Sequence, residues 1–538
     1  MLFAACALVS NGAWAQEPVK SFEDYKKQQE AAFDHFKSDY QRGLDSIRSA
    51  HDKAFSDLLN NRWVSKELDL VPSPFLPDAP PPPALPDPSE LGQPGTDLSD
   101  PPASQEVEGV VQEDFVPTNV PPIVTEDAKP SNDDEIIIEE INVEESLDSP
   151  LSEQSVGMPE ERVEAETYVG QLEKNFGAQL NLSTVSFFSI DTRVPQINSK
   201  WPKFSGRIEQ KAIVNYWSSC ADSDYSAMLA YFEFQRQVLK LNDWAYIRFI
   251  DLVASKNFST PSEKELFKWF VLVQSGFDVH LMYSPTAVYL TYPFEQVLYA
   301  KSFFELGQRK YYLLESVTDS KLYTYDDQHE NATDIFSLEG MDEIPVKEER
   351  ATRRFQFYYA GKNYDLSLTY NPSRIDLYKT LPQSELALYF DDKGAHAFEL
   401  NVQEQLGAIV DALPNDLERV RFLHKMVMDG IPYETDQEQF GYEKFCMPEE
   451  VLAYPYADCE DRSTLLNYLI TSTTNVKVIG LNYPQHIATA VGLKPTSEAQ
   501  TLIEYKGLKY IYCDPTYIGS DVGQMPDNYR GLQPTVIE

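Results

Sequence analysis

Between Leu68 and Glu164 the chain carries 18 of its 36 prolines, four of them consecutive at Pro80–Pro83, and its apolar residues keep no sustained helical or strand period. Proline fixes φ and lacks an N–H, so such a run builds neither a helix nor a ladder; with little apolar surface to bury it stays extended. No core can run through it. The chain therefore reads as an N-terminal element over 16–66, a disordered Pro-rich acidic linker over 67–165, and a C-terminal part that must fold by itself. The stretch from Leu68 to Glu164 holds 24 Asp and Glu against Lys129 and Arg162 alone, which accounts for −22 of the formal charge of −40. A surface this acidic repels phosphate backbones and anionic lipid, which excludes nucleic acid as a partner and electrostatic docking to a membrane. One island, Ile136-Ile137-Ile138 within Asp133 to Val143, alternates acid and aliphatic residues and reads as a solvated spacer.

Ahead of the linker, residues 1–15 are a short apolar run ending in Ala13-Trp14-Ala15 before Gln16, the small-x-small pattern of a signal peptide. Export to the periplasm or medium is expected. The alternative is a lipobox, Phe3-Ala4-Ala5-Cys6, that would leave the protein anchored through Cys6. No other stretch approaches the ~20 apolar residues of a membrane-spanning helix. From Phe22 to Leu58, the positions Phe22, Tyr25, Phe33, Phe36, Tyr40, Leu44, Ile47, Phe55 and Leu58, with Gln29 and His51 filling the gaps, step by 3, 4 and 4. Such an eleven-residue repeat makes a stripe that winds right-handed against a copy of itself, so the reading is a self-associating coiled coil. Docking on its own chain is the other use of that stripe.

The C-terminal part reads as α+β. Helical periods over Tyr225–Leu239, Trp244–Ala254 and Glu263–Gln274 precede strands such as Val288–Pro293, giving a mixed α/β unit over 166–316. Alternation in Arg354–Tyr359 and Tyr364–Leu368 around the turn Ala360–Asn363 gives a β-rich domain over 317–395. Helices return over Val402–Leu413 and Asn415–Gly430, the latter with Asn415 as cap, and open the last domain, 396–538.

That domain carries the chemistry. In Ala457-Asp458-Cys459-Glu460-Asp461 a cysteine starts a helix whose apolar stripe is Leu465, Leu466, Leu469. A helix N-terminus offers partial positive charge and free N–H groups, which favour a thiolate and can hold an oxyanion. His486 follows at the start of a strand, and Asp514 ends the next at the turn made by Pro515. The carboxylates Asp458, Glu460 and Asp461 cap the helix and complement its dipole. Cys220, Cys446 and Cys513 read as buried or free thiols, and no CxxC or HxxxH spacing suggests zinc.

Cysteine on a helix end, then histidine and aspartate on successive strands, resembles the transglutaminase-like superfamily over roughly Ala397 to Arg530, with Ala457 where members often have glycine. The resemblance implies a papain-like fold with Cys459 as nucleophile, His486 as base and then acid, and Asp514 orienting the imidazole. It implies an oxyanion site from the Cys459 backbone and an upstream aromatic donor, Tyr433 or Tyr442. It also implies a second use for Asp458, Glu460 and Asp461, as calcium ligands beside the cysteine; no other cofactor is expected. The expected activity is that of an exported thiol enzyme on protein or peptide amide bonds, hydrolysis being favoured over amine transfer. The alternative is a non-catalytic envelope scaffold using the coiled coil and spacer.

Sliding the sequence by 199 residues places Leu266-Phe267-Lys268-Trp269-Phe270 under Leu465–Leu469 and Lys310–Glu315 under Lys509–Asp514. Cys459, His486 and Asp514 then fall on Thr260, Ala287 and Glu315, so 206–316 reads either as a degenerate copy without thiol chemistry or as ordinary helix-then-strand patterning.

Overall fold

The computed structural model describes residues 49–72, 176–177, 179–197, 201–317, 319, 321–497 and 500–538. Residues 1–15 with Cys6, most of the eleven-residue stripe and nearly all of the 67–165 segment lie outside them. Among the described residues no helix is long and apolar enough to cross a membrane.

Residues 49–61 are helical and pack on the chain's own body. Phe55 and Leu59 are buried, and the Phe55 ring lies 4.7 Å from Trp217 and 5.4 Å from Tyr325, both edge-on. This end of the stripe is thus used within the chain, because an aromatic pocket there covers it better than water does. The helix also stops before residue 66: β1 (Trp63–Lys66) and β2 (Asp69–Leu70) follow, so ordered structure reaches past the start expected for the linker.

A hairpin, β3 (Leu182–Phe187) and β4 (Ile190–Pro195), precedes four helices, Gln210–Ala221, Ser226–Val238, Asp243–Asn257 and Pro261–Gln274. Then come β5 (His280–Tyr283), β6 (Val288–Pro293), β7 (Ser302–Leu306), β8 (Arg309–Leu313) and β9 (Leu322–Tyr325). The first sheet has the order β1-β9-β5-β6-β8-β7-β2. Lys66 and Asp69 are close neighbours in the chain, a span of about 10 Å at most, yet β1 and β2 sit at opposite edges of seven strands, about 29 Å apart if flat. The sheet must therefore curl until the 63–70 segment closes it.

A second hairpin follows, β10 (Ala351–Tyr359) with β11 (Lys362–Tyr370), and after several short helices the long helix Asp416–Gly430, capped as expected by Asn415. The 317–395 segment is not a domain with a core of its own. Its β9 belongs to the first sheet, and β10–β11 lies on the Asp416–Gly430 helix, with Phe357 5.2 Å from Phe422 and Phe355, Phe357 and Leu368 in one cluster with Val420 and Val427. Two strands alone cannot bury a core, so the hairpin borrows one.

The helix Cys459–Thr473 buries Leu465, Leu466 and Leu469 completely. It leads into β12 (Val478–Tyr483), β13 (His486–Val491), β14 (Leu502–Tyr505), β15 (Leu508–Cys513) and, after a long loop, β16 (Thr535–Ile537), in the order β14-β15-β13-β12-β16. This repeats the β7-β8-β6-β5-β9 order of the first sheet, and the register repeats with it. His280 pairs Thr291 as Ile479 pairs Ala490, Thr291 pairs Leu313 as Ala490 pairs Tyr512, and Phe303 pairs Tyr312 as Leu502 pairs Ile511. Every one of these equivalences is a shift of 199 positions. Chance patterning does not preserve residue-level register across three strand pairs, since a one-residue slip turns every side chain to the other face.

Truncating Phe55 to alanine should cost about 3–5 kcal/mol in denaturant unfolding while leaving the mass by light scattering unchanged. A lower mass with unaltered stability would restore a coiled-coil role for this end of the helix.

Candidate active site

The Cys459–Thr473 helix starts on its cysteine, with Asp458 as the flanking residue in extended conformation. Cys459 is buried; its Sγ donates to Glu460 Oε2 at 3.0 Å and accepts the Ile487 N–H at 3.5 Å. Its backbone N–H is among the first-turn donors that have no intrahelical acceptor. The thiol is thus seated against the first peptide of β13, beside His486. That strand is entered through a two-residue turn, Pro484–Gln485, closed by the Tyr483–His486 pair. Proline sets the first position, and Gln485 takes φ +61°, the left-handed conformation required at the second.

His486 is fully buried, and its Nε2 lies 2.8 Å from Asp514 Oδ2. Tyr512 donates its hydroxyl to the same oxygen at 2.7 Å, and the Thr516 N–H donates to Oδ1 at 2.9 Å. With Nε2 committed to the carboxylate, Nδ1 is buried without a hydrogen-bond partner and is the nitrogen left for proton exchange. Tyr529 stacks on the imidazole at 4.7 Å and Tyr517 meets it edge-on at 5.6 Å. Burial works against the charged imidazole, but the Asp514 carboxylate outweighs it and raises the His486 pKa. Burial likewise opposes the ionised carboxyl of Asp514, and His486, Tyr512 and the Thr516 N–H together hold its pKa below the ordinary range. Burial, then Asp458, push the Cys459 thiol up, against the pull of Glu460 and Ile487.

Of the two tyrosines, only Tyr433 is at the site. Its ring lies 5.3 Å from the Arg462 guanidinium, and its hydroxyl is pushed up by burial and then by Cys459. Tyr442 is 58% exposed, packs at 6.2 Å on Phe440, and belongs to the outer surface.

The three carboxylates divide. Asp458 makes no capping hydrogen bond. Instead Asp458 and Glu460 join Asp436, the first residue of the short helix Asp436–Gln439, and Glu443 just beyond that helix, with one oxygen of each within 4.8 Å of the others. Asp461 turns one oxygen to the Cys446 N–H at 2.9 Å but still acts on the cluster. Burial first, and then Asp461 on Asp436, Glu460 on Asp458 and Cys459 on Glu460, raise the pKa of these three groups, while burial alone raises Glu443. Asp436 Oδ1, Asp458 Oδ1 and Glu460 Oε1 are buried with no partner. An all-oxygen set of this kind, short of positive charge, fits a hard divalent cation and not a thiophilic one.

Two residues at the site carry roles that their sequence positions do not announce. Arg462 is fully buried and donates to the carbonyls of Ala457, Pro515, Thr516 and Ile431, at 3.1, 3.0, 3.3 and 2.6 Å. One guanidinium thereby ties together the turn before Cys459, the turn after Asp514 and the approach to Tyr433. His424, on the apolar face of the Asp416–Gly430 helix, places Nε2 at 2.7 Å from the Asp514 carbonyl, and burial lowers its pKa. A histidine in step with Val420, Leu423 and Val427 was the available signal. Among the described residues the other cysteines, Cys220, Cys446 and Cys513, are buried and form no disulfide.

Replacing Arg462 by methionine should strand four carbonyls at about 1–3 kcal/mol for each that water cannot reach. Expected are a large drop in unfolding free energy and faster amide exchange in 431–433 and 515–517; Arg462→Lys, keeping charge but not the fork, should fall between. Compared with family models, with curated proteins and with solved structures, the chain matches none, so the roles of these residues rest on their geometry.

Proposed function

We propose that the protein is an exported thiol enzyme that opens protein or peptide amide bonds through a thioester on Cys459, with the second repeat a papain-like, transglutaminase-like domain and the first a degenerate copy of it. The observation that carries this reading is the buried His486–Asp514 pair, 2.8 Å apart, beside a thiol seated on the Ile487 N–H at a helix start. In this mechanism His486 takes the thiol proton through Nδ1 as Sγ attacks the carbonyl carbon. The developing oxyanion meets the Cys459 N–H and the Tyr433 hydroxyl. The C–N bond then breaks, the imidazolium protonates the departing amine, and a thioester remains. Water, activated by the same imidazole, releases the acid and restores the thiol; hydrolysis is favoured over an amine acceptor because water is the default nucleophile. Asp514 holds the imidazole in one tautomer and stabilises its charged form. Export rests on the leader sequence alone.

Asp436, Glu443, Asp458 and Glu460 would hold calcium. The ion would neutralise carboxylates that otherwise crowd negative charge against the thiol.

Iodoacetamide at neutral pH should label Cys459 faster than a free model thiol, and His486→Ala should abolish the difference. Cleavage of a casein-like protein should fall on the order of 10²–10⁴-fold in Asp514→Asn, with amine incorporation minor when a primary amine is supplied. Labelling at the model rate would sink the enzyme. For the cation, calcium added to chelator-treated protein should raise stability by about 2.7 kcal/mol at a hundredfold excess over Kd, and Asp436→Asn should remove the effect. Equal melting with calcium and with chelator would mean the cluster is held by protons.

A further inference from the structure

The first repeat has lost the thiol chemistry of the second: Thr260, Ala287 and Glu315 stand where the register puts Cys459, His486 and Asp514. Thr260 simply caps its helix, accepting the Glu263 N–H. Yet beside Glu315 lies a partly open cavity of about 290 Å³ between the Asp243–Asn257 and Pro261–Gln274 helices and strand β6, walled on one side by Thr380, Leu381 and Pro382 from outside the repeat. At four equivalent positions the second repeat has Thr464, Asn467, Ala488 and Val491, and the first has Glu265, Lys268, Tyr289 and Tyr292. The Glu265 and Lys268 charges and the Tyr289 and Tyr292 rings are therefore particular to the first repeat, while Glu315 has an acid, Asp514, as its counterpart.

Lys268 is buried with its amine 2.6 Å from Glu265 and 3.2 Å from Asp251. Ion pairs in such places cost desolvation that a hydrophobic substitute would not, and are weak evidence for stability. Three further charges line the cavity: Arg248, 4.0 Å from Asp251, and Lys301 and Glu315, which make no ion pair within 4 Å among the described residues although Glu315 favours the Lys301 ammonium. The Lys301 amine, half-buried, donates to the Leu314 carbonyl at 2.9 Å, which sets it next to Glu315, whose carboxylate is exposed. Trp244, Tyr289 and Tyr292 supply aromatic wall. The volume sits at the low end for small-molecule sites and excludes nucleotide-sized ligands.

We infer that this cavity binds a free α-amino acid, its carboxylate on Lys301, its ammonium on Glu315, and its side chain against the aromatic wall. An anion alone would leave Glu315 repelling it, and a cation alone would meet Lys301; a zwitterion answers both. The inference is independent of whether Cys459 is catalytic.

Isothermal titration of the full chain with each protein amino acid, up to about 10 mM, should find saturable binding for at least one. The same compound with its amine acetylated, or its carboxylate amidated, should bind at least about tenfold more weakly, as should the wild-type ligand to Lys301→Met and Glu315→Gln. Both substitutions sit toward the cavity mouth and leave the Lys268 cluster intact, and thermal melts of the two variants verify folding. No saturable binding by any amino acid, equal binding of the blocked forms, or undiminished binding by both folded variants would each overturn the assignment.

Discussion

A guanidinium taken wholly out of water is tolerable only if nearly every N–H finds an acceptor, and the acceptors must come to it. Arg462 meets that condition with four backbone carbonyls from three segments. Backbone carbonyls are the cheapest partners for the purpose: they carry no counter-charge that would compete for His486 or Cys459, and they fix main chain, not rotamers. The consequence is that the turn before the cysteine, the turn after the aspartate and the stretch leading to Tyr433 share one reference point. Asp514 is held from its other side as well, by the His424 contact to its carbonyl and by Tyr512 and the Thr516 N–H on its carboxylate. A carboxylate so fully satisfied has one orientation available, and it passes that orientation to the imidazole.

The same fold is spent differently in the two repeats. In the first, the 63–70 segment pairs with β9 at one edge and β7 at the other and closes the sheet. In the second, no strand fills that place among the described residues, and the edges approach through the Lys506–Glu538 ion pair at 2.6 Å, an exposed contact worth little by itself. The closed copy carries the larger aromatic core, with Trp217, Trp269, Phe55 and Tyr325 mutually packed. The other carries Cys459, His486 and Asp514. On the proposed reading, a rigid neighbour beside a site that must admit substrate is a sensible division, because loops and edges are where low local stability is tolerated.

Much of this was legible in the chain. Helix periods placed Asp243–Asn257 and Pro261–Gln274 within a few residues, Val288–Pro293 was read to the residue, and Asn415 was recognisable as a cap, since each is decided by local pattern. The geometry joining His486 to Asp514 followed from strand ends. What was not legible depends on distant segments. That Asp436 and Glu443 meet Asp458 and Glu460 is set by the 436–443 segment folding back over the helix start, and no spacing encodes it. Arg462 lay inside the motif but read as one charge among several, because its acceptors are carbonyls that sequence does not display. The β10–β11 hairpin was visible, whereas its lack of a separate core was not; pairing is local and burial is global. The N-terminal stripe shows the same limit, for periodicity reveals an apolar face and not what covers it.

The thiol and the carboxylate cluster form one electrostatic system. Glu460 accepts the Cys459 S–H at 3.0 Å and is at the same time one of the four clustered carboxylates, and Asp458 lies on the other side of the cysteine in the chain. Four carboxyls within a few ångströms cannot all be ionised without compensation, whether by protons or by a cation. Burial and then the Asp458 charge oppose the ionisation of Sγ, while the Glu460 contact, the Ile487 N–H and the helix start favour it. A proton on Glu460 relieves the repulsion and gives the carboxyl an O–H that can donate to a thiolate; a cation relieves it and leaves the carboxylate ionised. On the proposed reading the cluster therefore sets how readily the thiol can be used, and the spacing of Asp458 and Glu460 around Cys459 puts that control within one residue of the reacting atom.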